Sequence, residues 1–285
     1  MLRFTKFTAL AAMVAFVTGC AVTPSVVEYN PKKSRALNIA EAGGIYKGVK
    51  DAEIPKDTTG ALTDSAIYNS MYAGMGFINP GPGLSKLQGL GQGILAAMFE
   101  PDSPGARNSF MAWMPAEQAA TPAEAQAKML ELFFSATKSV LDEHKIKYNF
   151  YYGRDSNIKI VDMRHLASFV IDKDSCGETG PNCSISMNAY EPIKNLTPAF
   201  VSKNGGSPSF GFNANGGHKY NGIQINTPKK FPISQVDFYK QISQRMPDWF
   251  FIYLSPEKTF DKEGKKIKFP ILLEKGEPNL FFVRK

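Results

Sequence analysis

The sequence predicts an α+β fold: helices packed on antiparallel sheets, with a Gly/Ala-rich helical segment in the N-terminal part. Three observations carry this. A capped amphipathic run occupies residues 121–144, strict apolar alternation follows it, and the same order of helix then strands returns near the C-terminus.

Residues 1–20 read in three zones: "MLRFTK" with Arg3 and Lys6, the apolar "FTALAAMVAFV", then small residues ending at Cys20. That is the layout of an export signal. The apolar zone is too short to cross a bilayer, which takes about 20 apolar residues. Val17, Thr18 and Gly19 run directly into Cys20, and this ending resembles the bacterial lipobox, although Thr18 stands where that family more often has Ala or Ser. The resemblance covers residues 1–20 alone. It implies that a signal peptide, residues 1–19, is removed and that a diacylglycerol is attached to the Cys20 sulfur. It also implies further acylation, of the palmitate type, at the new amino terminus. Acyl chains bury about 0.8 kcal/mol per CH₂, so two or three hold firmly where one is marginal. In the same family an Asp after the cysteine commonly retains the protein in the inner membrane; Ala21 stands there, which implies the outer membrane, facing the periplasm. A plain secretory signal cleaved elsewhere is the alternative.

Hydrophobic residues make up 43% and aromatic residues 12% of the 285, enough to bury a sizeable core in one or two domains. The formal charge of +7 falls to +5 when Arg3 and Lys6 leave with the signal. That surplus suits anionic surfaces without demanding them, and no nucleic-acid partner is expected.

Residues 20–45, beginning "CAVTPSVVEYNPKKSR", mix Pro, Asn and charge without sustained periodicity and are expected to be a lipid-anchored tether. Residues 46–120 are expected to be a helical region rich in small residues. Ile67, Met71 and Met75 recur on one face before "NPGPG" breaks the chain, and Leu87, Leu90, Ile94 and Met98 recur on the next. Gly89, Gly93 and Ala97 form a smooth stripe there, a face for close helix packing or oligomerisation. "GLGQG" lacks the preceding strand that a dinucleotide site needs.

Residues 121–285 are expected to be an α+β domain of two helix-then-meander units. Thr121, Pro122 and Glu124 form a helix start, with Met129, Phe133, Ala136 and Val140 along one face and Leu130, Phe134 and Leu141 beside it. Ile146, Tyr148, Phe150 and Tyr152 then alternate, followed by "IKIV" and "LASFVID". The second unit opens on "SQVDFYKQISQRM", capped by Ser234 and stopped before Pro247, and continues into "WFFIYL", "KIKFPILLE" and "NLFFV". Between the units, "SFGFNA" and "KYNGIQIN" flank Asn and Gly residues and predict a projecting hairpin.

Cys176 and Cys183, seven positions apart around Gly and Pro, are expected to pair as a disulfide in an oxidising compartment; a metal or redox pair fits the spacing less well. No catalytic residue, metal site or cofactor is assigned. "SATK", Ser135 to Lys138, matches S-x-x-K, but the serine lies inside the helix pattern and no K-T-G or S-D-N accompanies it. His144, His165 and His218 lie far apart, with no zinc-ligand spacing. "DKDSCGE" echoes a calcium loop through Asp172, Asp174 and Gly177, but its twelfth position is Cys183.

The function expected is that of a lipid-anchored envelope protein that binds or scaffolds, within a secretion or envelope-assembly complex or on its own. Two alternatives stand: an envelope hydrolase acting on peptidoglycan or another polymer, and a binder of anionic glycolipid or peptidoglycan through Lys229, Lys230, Lys265 and Lys266.

Overall fold

A computed structural model describes residues 27–54, 104–152, 165–177, 183–214, 220–228, 231–256, 258–261 and 264–284. The helices are α1 (Arg35–Ala42), α2 (Pro122–Glu143), α3 (Lys173–Cys176) and α4 (Gln235–Arg245). The strands are β1 (Ala52–Ile54), β2 (Ser109–Pro115), β3 (Tyr148–Tyr152), β4 (Leu166–Ile171), β5 (Ser184–Asn188) and β6 (Ile193–Leu196). They continue with β7 (Pro208–Phe212), β8 (Gly222–Asn226), β9 (Phe250–Leu254), β10 (Ile271–Glu274), β11 (Glu277–Leu280) and β12 (Phe282–Arg284). The fold is α+β, with the helices set against antiparallel sheets.

A six-stranded sheet in the order β11-β10-β9-β2-β7-β6 forms the middle of the molecule, and all its pairings are antiparallel. Successive residues of a strand point to opposite faces. In β2 and β9 this sends Phe110, Ala112, Met114, Phe250, Ile252 and Leu254 into one apolar core and Met111, Trp113, Phe251 and Tyr253 into another. The first core is closed by α2, α4 and the inner face of a second sheet, β3-β4-β5-β8. The second is closed by α1 and the loop after it, through Ala36, Leu37, Ile39, Ala40, Ile45 and Val49.

The start signals read from the sequence are the ones used. The Thr121 hydroxyl accepts from the Glu124 N–H at 3.2 Å, and the Glu124 carboxylate accepts from the Ala120 N–H at 2.7 Å, a capping box shifted by one residue. Ser234 caps α4 by accepting from the Asp237 N–H at 3.0 Å, and α4 stops before Pro247. Each of these helices leads into a meander: α2 into β3-β4-β5, α4 into β9-β10-β11. The β10–β11 turn places Lys275 and Gly276 at positive φ, 53° and 83°. That conformation sends the Lys275 ammonium onto the Gln244 and Met246 carbonyls, at 2.8 and 2.6 Å, where it caps the end of α4.

Three expectations are corrected. Residues 35–45 are not tether. Ser34 caps α1, whose Ala36, Leu37, Ile39 and Ala40 are buried, and Gly43 lets its end approach β2 so closely that a Cβ would lie 2.5 Å from the Met111 sulfur. The described parts of residues 46–120 hold strands β1 and β2, and β2 is central to the sheet; residues 55–103, with Gly89, Gly93 and Ala97, lie outside the described residues. The hairpin is also absent: β7 pairs with β2 and β6, while β8 pairs with β5 in the other sheet. Apolar residues on β7 complete the six-stranded sheet and those on β8 the four-stranded one, so these consecutive strands belong to different sheets.

Polar links fasten α1. Arg35 bonds Glu274 of β10 at 2.7 Å and the Phe200 carbonyl at 2.7 Å. Lys33 pairs with Glu41 at 2.6 Å. Asp51 accepts from the Ser34 N–H at 2.7 Å and from its hydroxyl. Burial raises the Asp51 carboxyl above its ordinary 3.8, outweighing the Ser34 bonds that lower it; Glu41 adds to the rise and Lys33 opposes it. A folded state that holds this proton more tightly than the unfolded chain loses stability as pH climbs from the unfolded value through the raised one. Asp51→Asn removes that loss. In urea unfolding its midpoint should therefore gain on the native chain as pH rises from about 4 toward neutrality; parallel pH curves would refute this.

Candidate functional site

The four-stranded sheet has one face in the core and one outside. Phe169, Ile171, Ile185, Met187, Ile223 and Ile225 point inward and are buried. Because strand residues alternate and the registers are fixed, the outward positions fall in rows across the sheet. One row is Tyr151, Ser168, Ser186 and Gln224; the next is Asn149, Val170, Ser184 and Asn226; the third is Leu166, Asn188 and Gly222. None of these residues is charged, although charged residues make up 21% of the chain. Tyr151 is 51% exposed, and Asn149, Gln224 and Asn226 are exposed as well.

The third row ends in an aromatic group. Tyr190 and Tyr220 lie two positions beyond Asn188 and Gly222, and both are half-buried. The Tyr220 ring lies over Gly222, where a Cβ would come within 2.6 Å of its edge, so the absent side chain makes room for the ring. Its hydroxyl accepts from the Gln224 amide at 3.2 Å, and the Arg107 guanidinium sits 3.8 Å above the ring centre. His165 stacks on Tyr190 with centroids 4.4 Å apart and planes 15° from parallel. Asn221, itself buried, holds the group together by accepting from the Tyr190 N–H and donating to the Asn213 carbonyl, both at 2.8 Å. Burial, with Tyr220 nearby, raises the Tyr190 phenol, and burial lowers the Arg107 guanidinium against an opposing effect of Tyr220.

A polar cleft of about 550 Å³ lies elsewhere, between the end of α2, one side of α4 and the β10–β11 turn. It contains His144, Asp237, Asp261 and Glu277. Local structure engages these groups: Asp237 accepts from the Ser234 hydroxyl at 2.8 Å, Asp261 from the Lys265 N–H at 2.8 Å, and the His144 ring meets Gln241 at 3.1 Å. A shallower groove between α2 and β3 is lined by Leu130, Phe134 and Phe150.

The sequence-selected residues do not converge. Cys20, His218, Lys229 and Lys230 lie outside the described residues. Cys176, at the end of α3, and Cys183, just before β5, are paired with Cα atoms 6.2 Å apart, both buried in the first core. Ser135 is exposed in the middle of α2 rather than inside its apolar face, and Lys138 pairs with Asp142 one turn on. That hydrogen bond raises the Lys138 ammonium, the opposite of what a general base needs. Asp172 is spent capping α3. Lys265 and Lys266 are exposed in a tight turn closed on Asp261. Among the described residues no three His, Cys, Asp or Glu side chains are grouped to hold a metal, and no helix is long and apolar enough to cross a membrane. The outer sheet face was half readable: alternation in "YNFYY" marks Asn149 and Tyr151 as outward, but aligning them with Ser186 and Gln224 requires the register.

No family model, curated protein or solved structure matches the chain.

The disulfide closes a short loop at the edge of the core, and constraint of so small a loop in the unfolded chain contributes about 2 to 3 kcal/mol. Replacing both Cys176 and Cys183 by Ala should lower the unfolding free energy by about that amount in non-reducing urea titrations. The native chain titrated in reductant should approach the variant; no difference between the two chains would show that the bridge contributes nothing.

Proposed function

We propose that this chain is a lipid-anchored binding or scaffold protein of the bacterial cell envelope, held through Cys20 and facing the periplasm from the outer membrane. Gly19-Cys20 at the end of a short apolar run supports the anchor. The paired cysteines support an oxidising compartment. The observation that carries the binding role is the outer face of the four-stranded sheet, whose outward rows hold no charged residue among the described residues and are bordered by Tyr151, Tyr190 and Tyr220. Work inside a secretion or envelope-assembly complex is one form of this role.

The anchor lies close to the folded body. The Tyr29 ring packs on Phe200 at 5.4 Å and the Asn30 N–H bonds the Asn38 side chain at 2.8 Å, so the chain is docked nine residues after Cys20. Even fully extended, that stretch reaches only about 30 Å.

A second reading, hydrolysis of an envelope polymer, is favoured by the cleft holding Asp237, Asp261 and Glu277. Capture of anionic glycolipid or peptidoglycan by lysines has Lys265 and Lys266 in its favour, both exposed.

Two measurements test the proposal. Cys20→Ser should abolish fatty-acid labelling and leave an uncleaved precursor; undiminished labelling would place the attachment elsewhere. A photoreactive residue at Ser186 should crosslink an envelope component in intact cells, while one at Lys138, on the exposed side of α2, should not. Equal capture at both positions, or at neither, would remove the sheet face from the binding role.

A further inference from the structure

We propose that the outer face of the four-stranded sheet binds an uncharged glycan, the β-linked N-acetylhexosamine chain of the cell wall. This rests on the binding role assigned above and names its ligand.

Serine hydroxyls and asparagine and glutamine amides both donate and accept hydrogen bonds, as sugar hydroxyls and acetamido groups do. Ser168, Ser186, Asn188 and Gln224 present such groups on one face of the sheet, at positions fixed by the ladders. Covering a neutral polar group that regains its bond costs little, whereas a covered charge without a counter-charge costs far more. Outward rows without charge are therefore complementary to a ligand without charge, and mismatched to a phosphate-rich or acidic one. Four strands about 4.8 Å apart span about 14 Å, and the distance from Ser184 to Tyr190 along the strand direction is about 20 Å, enough for a short run of sugar rings.

The tyrosines supply the other half of sugar chemistry. A pyranose ring has a polar rim and a face of C–H groups, and the electron-rich face of an aromatic ring attracts those C–H groups as it attracts other positive edges. Tyr151 at one border is half exposed and supplies such a face; at the other border the Arg107 guanidinium already covers one face of Tyr220 and His165 stacks on Tyr190. Rings held by such contacts lose little freedom on binding.

The test uses the chain expressed without residues 1–19 and with Cys20→Ser, titrated calorimetrically with an N-acetylglucosamine hexamer and cosedimented with purified cell-wall sacculi. Both should bind saturably, with affinity for the hexamer nearly unchanged between about 50 and 300 mM salt, because no ion pair is made. Tyr151→Ala and Gln224→Ala, both on exposed side chains, should each weaken hexamer binding by about fivefold, with unaltered urea midpoints. Failure to bind the hexamer, or hexamer binding without sacculus binding, would overturn the proposal. So would binding that falls steeply with salt and is lost in a Lys265→Ala, Lys266→Ala chain but not in the sheet variants. Acylation of Cys20 and crosslinking from Ser186 are separate readouts, so the ligand can be refuted while the anchored binding role stands.

Discussion

The constraint on which this structure depends is a central sheet that is apolar on both faces. Phe110 and Phe250 stack 5.1 Å apart on one side, and Trp113 and Phe251 meet edge-on at 6.0 Å on the other. Each large aromatic side chain hidden from water contributes a few kcal/mol, and left exposed it would become an aggregation surface. Such a sheet needs two covers. Helices α2 and α4 and the second sheet form one, and α1 with its following loop forms the other. The eight residues of α1 have little stability of their own, so helix formation there depends on the packing that it completes.

The two sheets are joined through polar residues at their seam. Asn108, one residue before β2, donates to the Tyr239 hydroxyl and Thr259 and accepts from the Ser255 N–H. Tyr239 in turn donates to the Ile223 carbonyl of β8 at 2.9 Å, and burial raises its phenol far above the ordinary value. Asn221 performs the same task at the start of β8. With its inner face fixed to the core, the four-stranded sheet presents its outer rows on a rigid base, which is what a recognition surface requires.

Elements that carry their own local signals were legible in the sequence. Thr121, Pro122 and Glu124 announce α2, Ser234 and Pro247 bound α4, and alternation announces β3. The misread elements are those decided by tertiary partners. "SFMAWMP" is buried along its whole length, so it shows no alternation and no helical period, and its place in the middle of a sheet is visible only once β7 and β9 flank it. "RALNIAEAG" is too short for periodicity to stand out from the polar residues before it. The segments of β7 and β8 look like hairpin arms because Asn and Gly separate them, and nothing local reports that each has a better partner elsewhere. For the same reason the candidate site was only partly visible, since its residues come from strands far apart in sequence and share a face only through register.

The parallel pairing of β1 with β12 has a mechanical consequence. β1 runs parallel to β12, pairing Ala52 with Phe282 and Glu53 with Val283, while Arg35 ties α1 to Glu274 and to the Phe200 and Val201 carbonyls. Tension applied ahead of Tyr29 would thus load a helix, a sheet strand and a loop together.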